Sequence, residues 1–168
     1  IAAAANGGNK VITVLPGTIK IGPTETLTLD SAGITLKGVR GEKGEYLSKI
    51  IRDQIPSGKN MFIYVNAANI TFEDLYIEYA TNDDAWNQRN RPILTSAAAD
   101  NFAMKNCYLK GPDKANMLLN PGDGADNGLI EGNTFEGGSS GIYIRPCSGT
   151  VIRNNTFINN GKCITFEP

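Results

Sequence analysis

The sequence predicts an all-β solenoid in which short strands stack coil upon coil. Three observations carry that expectation. Gly128-Leu-Ile-Glu-Gly-Asn-Thr-Phe135 lies over Thr150-Val-Ile-Arg-Asn-Asn-Thr-Phe157 without a gap, so Ile, Asn and Phe recur in matching columns. Of the 19 glycines, eight fall in Asn-Gly, Gly-Gly and Pro-Gly pairs that punctuate short β-rich runs. Equivalent positions of successive units, Leu36, Phe72, Met104, Ile130 and Ile152, come steadily closer together along the chain while strand lengths barely change. Repeats that vary only in their connections are the mark of a solenoid.

The first family of strands begins with Ile34-Thr-Leu-Lys-Gly38 and continues in Ile70-Thr-Phe-Glu-Asp-Leu-Tyr-Ile77 and Phe102-Ala-Met-Lys-Asn-Cys-Tyr-Leu109. Their third position reads Leu36, Phe72, Met104, Ile130, Ile152 and their eighth reads Ile77, Leu109, Phe135, Phe157. Both columns are apolar throughout and are expected to point inward. Between these units lie Thr26–Leu29, Phe62–Val65, Pro92–Thr95, Met117–Asn120, Gly141–Ile144 and Cys163–Phe166, a third strand for each coil. Ile142-Tyr143-Ile144 shows the alternation such a strand needs, with tyrosine outward. Stacked strands would lie about 4.8 Å apart. Leucine-rich, propeller and sandwich patterns do not fit the repeat.

Composition excludes more than it names. With 16 basic and 17 acidic residues and no Lys/Arg block, the chain offers no nucleic-acid or anionic-membrane surface. No apolar run approaches the roughly 18 residues of a membrane span, and no signal peptide is seen. Cys107, Cys147 and Cys163 lack metal-site spacing, and Cys107 is expected to serve as a small core hydrophobe. With no histidine anywhere, the commonest general base and metal ligand is missing. Asn69-Ile-Thr71 and Asn154-Asn-Thr156 match the glycosylation pattern but are expected to lie inside packed coils.

On these columns the chain, from residue 11 to 166, resembles the single-stranded right-handed parallel β-helix of the pectate-lyase-like superfamily, which includes polysaccharide lyases, hydrolases and phage tailspikes. The resemblance implies one domain over 1–168 with about five to six three-strand coils. Val11-Ile-Thr-Val-Leu-Pro-Gly-Thr-Ile19 is similar to the family's entry coil, and Ile1–Gly8 would be the remnant of a capping helix stopped by Asn6 to Gly8. Asn133 and Asn155 fall where the family stacks an asparagine ladder, which would be two rungs tall because Leu75 and Cys107 precede them. An uncovered last coil presents unpaired strand edges, so either the chain is part of a longer protein or it self-associates through that end.

In the resembled enzymes a groove runs over the outer face of the sheet containing Gly141–Ile144. The outward positions implied here are Tyr64, Leu119, Tyr143, Arg145 and Thr165, with Leu94 ambiguous in register. The connection Thr81–Arg91 is the richest in chemistry: Trp86 offers a flat surface for a sugar ring, and Arg89 and Arg91 offer cations to a carboxylate, joined by Lys114. Asp123 and Asp126 are the candidate calcium ligands, although a calcium site wants six or more oxygens. Arg145 is the catalytic candidate if the reaction is β-elimination from a uronate, since arginine commonly takes the base role in pectate lyases. Hydrolysis would instead need Asp83 or Asp84 opposite Asp123. The His-containing motifs of polygalacturonases and alginate epimerases are absent. The expected function is that of a secreted or cell-surface protein acting on an acidic polysaccharide as a lyase. The alternatives are a non-catalytic carbohydrate-binding or adhesin-like module and a structural solenoid.

Overall fold

The computed structural model describes residues 9–54, 61–79, 91–112 and 117–167. Within them the chain winds through six coils of three strands. The coils are β1 (Lys10–Thr13), β2 (Gly17–Lys20), β3 (Leu27–Leu29); β4 (Ile34–Lys37), β5 (Ser48–Arg52), β6 (Ile63–Val65); and β7 (Thr71–Glu73), β8 (Tyr76–Tyr79), β9 (Ile93–Thr95). The next three are β10 (Ala103–Lys105), β11 (Tyr108–Lys110), β12 (Met117–Asn120); β13 (Leu129–Glu131), β14 (Thr134–Glu136), β15 (Ser140–Ile144); and β16 (Val151–Arg153), β17 (Thr156–Ile158), β18 (Lys162–Phe166). Every third strand pairs in parallel with its equivalent, giving three six-stranded sheets: A from β1 to β16, B from β2 to β17 and C from β3 to β18.

The core is three stacks, one per sheet. Sheet A contributes Ile12, Leu36, Phe72, Met104, Ile130 and Ile152. Sheet B contributes Ile50, Ile77, Leu109, Phe135 and Phe157, with the last two rings stacked at 5.4 Å, and Ile19 continues the column in the first coil but is 44% exposed. Sheet C contributes Leu27, Ile63, Ile93, Leu119, Ile142 and Ile164. Each interior side chain removed from water stabilises the fold by roughly 1.5–3 kcal/mol. The expected columns are therefore the observed ones.

Leu119 departs from expectation: it is buried in the sheet C stack, not outward on the groove face. Met117-Leu-Leu-Asn120 has three apolar residues in succession and no alternation to set its register. The actual pairing puts Met117 against Ser140, one residue away from the alignment with Gly141 that the repeat suggests. A one-residue slip moves every side chain to the other face, so Asn120 takes the outward place. Leu94, ambiguous in sequence, pairs with Tyr64 in the same outward column.

Turns are where asparagine matters. Asp74, Asn106, Gly132 and Asn154 adopt positive φ at the bend from sheet A to sheet B. The following residues, Leu75, Cys107, Asn133 and Asn155, form an inward column. Asn133 accepts from the Cys107 amide at 2.9 Å and donates to Met104 O at 2.8 Å and Asn155 Oδ1 at 3.1 Å. Asn155 repeats the motif, donating to Ile130 O at 2.8 Å. A second asparagine series runs along the bend from sheet C to sheet A: Asn69, Asn101 and Asn127 share left-handed φ values (58°, 57°, 58°), with Asn101 Nδ2 donating to Asn69 Oδ1 at 3.0 Å. Asn69 and Asn154 thus sit exposed on turns, contrary to the expectation that packing hides them. Their left-handed backbone puts the side chain outside the coil. Gly137 (φ +78°) is required for a different reason: a Cβ there would lie 2.1 Å from Gly111 O in the coil before.

The outer face of sheet A carries Lys37, Glu73, Lys105, Glu131 and Arg153 in one column of alternating charge. Ion pairs form at Lys37–Glu73 (2.9 Å) and Arg153–Glu131 (2.7 Å). On sheet B, Tyr46 folds from the Arg40–Tyr46 bridge onto the stacked rings of Tyr76 and Tyr108. Residues Ile1–Gly8, expected to end a capping helix, lie outside the described residues.

Cys107 is fully buried, and burial pushes its thiol up to about 12. Only the thiolate is nucleophilic. At about pH 8, near the ordinary thiol pKa, iodoacetamide is therefore expected to alkylate exposed Cys163 in the native protein and leave Cys107 untouched until denaturant is added, as read by peptide mass. Equal native labelling of both would mean that the core stack around Cys107 is not closed.

Candidate functional site

The outward column of sheet C reads Thr28, Tyr64, Leu94, Asn120, Tyr143, Thr165. Its upper part becomes polar because charged and polar residues gather there from four coils. Arg91 enters just before β9, Asn120 ends β12, Tyr143 and Arg145 belong to the end of β15, and Glu167 follows β18. Arg145 follows inward-facing Ile144, so it leaves on the same side as Tyr143, and Glu167 occupies the equivalent place one coil on. The Glu167 amide donates to Ile144 O at 2.8 Å, which fixes that neighbour relation.

Asn120 organises the cluster. It is fully buried, donates from Nδ2 to Tyr143 O at 3.2 Å and accepts from Arg91 Nη1 at 3.3 Å. Its backbone-anchored amide therefore aims the Arg91 guanidinium across the face of coils 4 and 5. Arg145 Nε lies 2.9 Å from Glu167 Oε2, with both side chains about one-third exposed (30% and 35%). That ion pair is close, but its N–H is not aligned as a hydrogen bond. The two guanidiniums feel one another. Burial, followed by the charge of Arg145, lowers the pKa of Arg91, and the Tyr143 and Glu167 charges oppose that shift. The Nε of Arg91 is also buried with no hydrogen-bond partner among the described residues. Among the described residues, two cations facing one carboxylate leave a local excess of positive charge, and unfilled donors stand at the same place.

Of the residues singled out in sequence, the structure brings Arg91, Tyr143 and Arg145 together. Tyr64 shares their column three rungs below Tyr143, about 14 Å away at ordinary strand spacing. Trp86, Arg89, Lys114, Asp83 and Asp84 lie outside the described residues. Sequence reasoning misses Asn120 and Glu167. A signal for Glu167 was present, since it stands to Arg145 as Ile152 stands to Ile130, at the offset of the last two repeat units. Asn120 was hidden by the register slip of β12.

The calcium expectation at Asp123 and Asp126 meets a poor donor set. Asp126 Oδ1 accepts from the Ser148 amide at 2.7 Å, and the Asp126 amide donates to Asp100 Oδ1 at 2.9 Å, so this aspartate ties successive turns together. Asp123 is exposed beside it. Among the described residues no three His, Cys, Asp or Glu side chains gather around a common point. Two carboxylates, one already engaged, do not fit an ion that wants six to eight oxygens.

The profile of a family described as "right handed beta helix region" matches residues 31–167. No curated protein and no solved structure matches.

Proposed function

The chain belongs to the right-handed β-helix family, and on that scaffold we propose that the outer face of sheet C binds an acidic, uronate-containing polysaccharide and cleaves it by β-elimination. The observation that carries this is the convergence of Arg91 and Arg145 on one side of coils 3 to 6, with Glu167 as the one carboxylate that the described residues place between them. A uronate carboxylate supplies the missing negative charge, and planar guanidiniums match its geometry in a bidentate way. Tyr143 and, further along, Tyr64 offer ring surface to the sugar units beside it.

The two arginines have different surroundings and hence different roles. Arg145 is a guanidinium already engaged with a carboxylate, Glu167, which suits it to anchor and neutralise the substrate carboxylate. Arg91 is half-buried beside a like charge, which lowers its pKa from the ordinary guanidinium value. That is what a base needs, and it shifts the base role from Arg145 to Arg91. In its minor neutral form Arg91 takes the proton α to the carboxyl and becomes guanidinium, the released pair forms the carbon–carbon double bond, and the glycosidic C–O bond breaks with its electrons leaving on oxygen, which takes a proton from water. Such a substrate lies outside the cell, so a secreted or surface location goes with this activity.

A second reading is favoured by the Arg145–Glu167 ion pair itself: a cation already partnered is a binding group before it is a catalytic one. The face would then hold the acidic glycan without cleaving it. One experiment separates the two. Incubation with a panel of uronate polymers is expected to give unsaturated products absorbing in the ultraviolet, without added calcium. Salt-sensitive binding with no absorbance rise selects the binding module, and neither signal leaves a structural solenoid.

A further inference from the structure

We propose that Glu167 is a built-in stand-in for the ligand carboxylate: it occupies Arg145 when the face is empty and must be displaced for an acidic glycan to bind. This rests on the reading of sheet C as an acidic-polysaccharide face, and adds to it a residue that sets what the face accepts.

The placement differs from that of the ion pairs on the outer face of sheet A. Lys37–Glu73 and Arg153–Glu131 lie in a column of strictly alternating charge, where carboxylates separate the cations of successive coils. Glu167 instead pairs with cations that lie side by side outside any alternating column: it is 2.9 Å from Arg145 Nε, and its charge also reaches Arg91, which has Arg145 as a like-charged neighbour. It comes from the described coil farthest from Arg91, three coils on, and is the carboxylate the described residues place in the cluster. Its side chain is about one-third exposed (35%), and its strand-end position leaves room to swing aside without breaking the Glu167 N to Ile144 O bond.

Displacement has a chemical consequence. Exchanging Glu167 for one incoming carboxylate on Arg145 replaces one ion pair by another, so the exchange is close to neutral. Net affinity then comes from the further contacts that only a longer ligand makes at once: a second carboxylate toward Arg91 and ring contact with Tyr143. The face is thereby biased against single uronate residues and toward oligomers with adjacent free carboxylates, and against polymers whose carboxyls are esterified.

The test is titration calorimetry of an oligogalacturonate against wild type, E167Q and, as a control of equal charge change on sheet A, E131Q. Glutamine keeps the shape of the side chain and removes its charge, and thermal unfolding of each variant checks that the coils remain intact. E167Q is expected to bind on the order of fivefold tighter, the effect of removing a competing carboxylate worth about 1 kcal/mol, and to gain measurable affinity for monomeric galacturonate. E131Q is expected to bind as wild type does. Unchanged or weaker binding by E167Q while wild type binds overturns the role of Glu167 and leaves the acidic-glycan reading in place. Equal tightening by E131Q also overturns it, since net charge alone would account for the gain. No binding by wild type or E167Q removes both.

Discussion

Arg91→Ala is expected to lower kcat on a uronate polymer by about 10²- to 10⁴-fold, the usual contribution of a positioned general base, with a much smaller change in KM. Arg145→Ala is expected to do the reverse in emphasis, raising KM most, because it removes the carboxylate anchor. The split follows from surroundings. Arg91 is half-buried, aimed by Asn120 and set beside a like charge, whereas Arg145 is paired with Glu167. Arg91→Lys is not expected to restore turnover, since an ammonium lacks the planar fork that reaches both Asn120 and the substrate. The measurement is initial rate of ultraviolet absorbance against polymer concentration for the three variants. If Arg91→Ala retains full kcat, the base lies elsewhere and Arg145 regains the role.

Asn133→Ala is expected to destabilise the coils by about 3 kcal/mol, a large share of the ~5–15 kcal/mol that holds a domain together. Alanine leaves the buried Cys107 amide without its partner, at roughly 1–3 kcal/mol, and removes the bonds to Met104 O and Asn155 Oδ1. Asn155→Ala makes the corresponding cuts on the sixth coil, where the side chain is half-buried and water can replace what is lost. Its cost should be about half. Urea unfolding of both variants tests the order: an Asn155 variant that loses more than the Asn133 variant would mean that burial does not govern the ladder.

Much of this architecture was legible because the coil interior tolerates only one kind of residue. Phe72, Met104, Ile130 and Ile152 differ in shape, yet all bury the same apolar position, so the column shows through large changes in connection length. The asparagine ladder was legible for a related reason. Asn133 and Asn155 each satisfy backbone groups that no other side chain of that size would reach. The second series at Asn69, Asn101 and Asn127 follows the same spacing, and its signal lay in plain view just ahead of each first strand.

Outward residues left weaker traces. Asn120 and Leu119 exchanged places because Met117-Leu-Leu carries no alternation, and only pairing with Ser140 and Ile142 decides which side chain faces the core.

By itself, then, the sequence determined the stacked coils, their inward columns and their ladder, since burial and turn geometry repeat at every level and write the same residue types each time. Only the tertiary structure decided that Arg91, Asn120, Arg145 and Glu167 share one surface. They are unevenly spaced along the chain, because the connections between their strands differ in length. An outward position is held to no residue type by packing, so its neighbours are known only once the strands are in register.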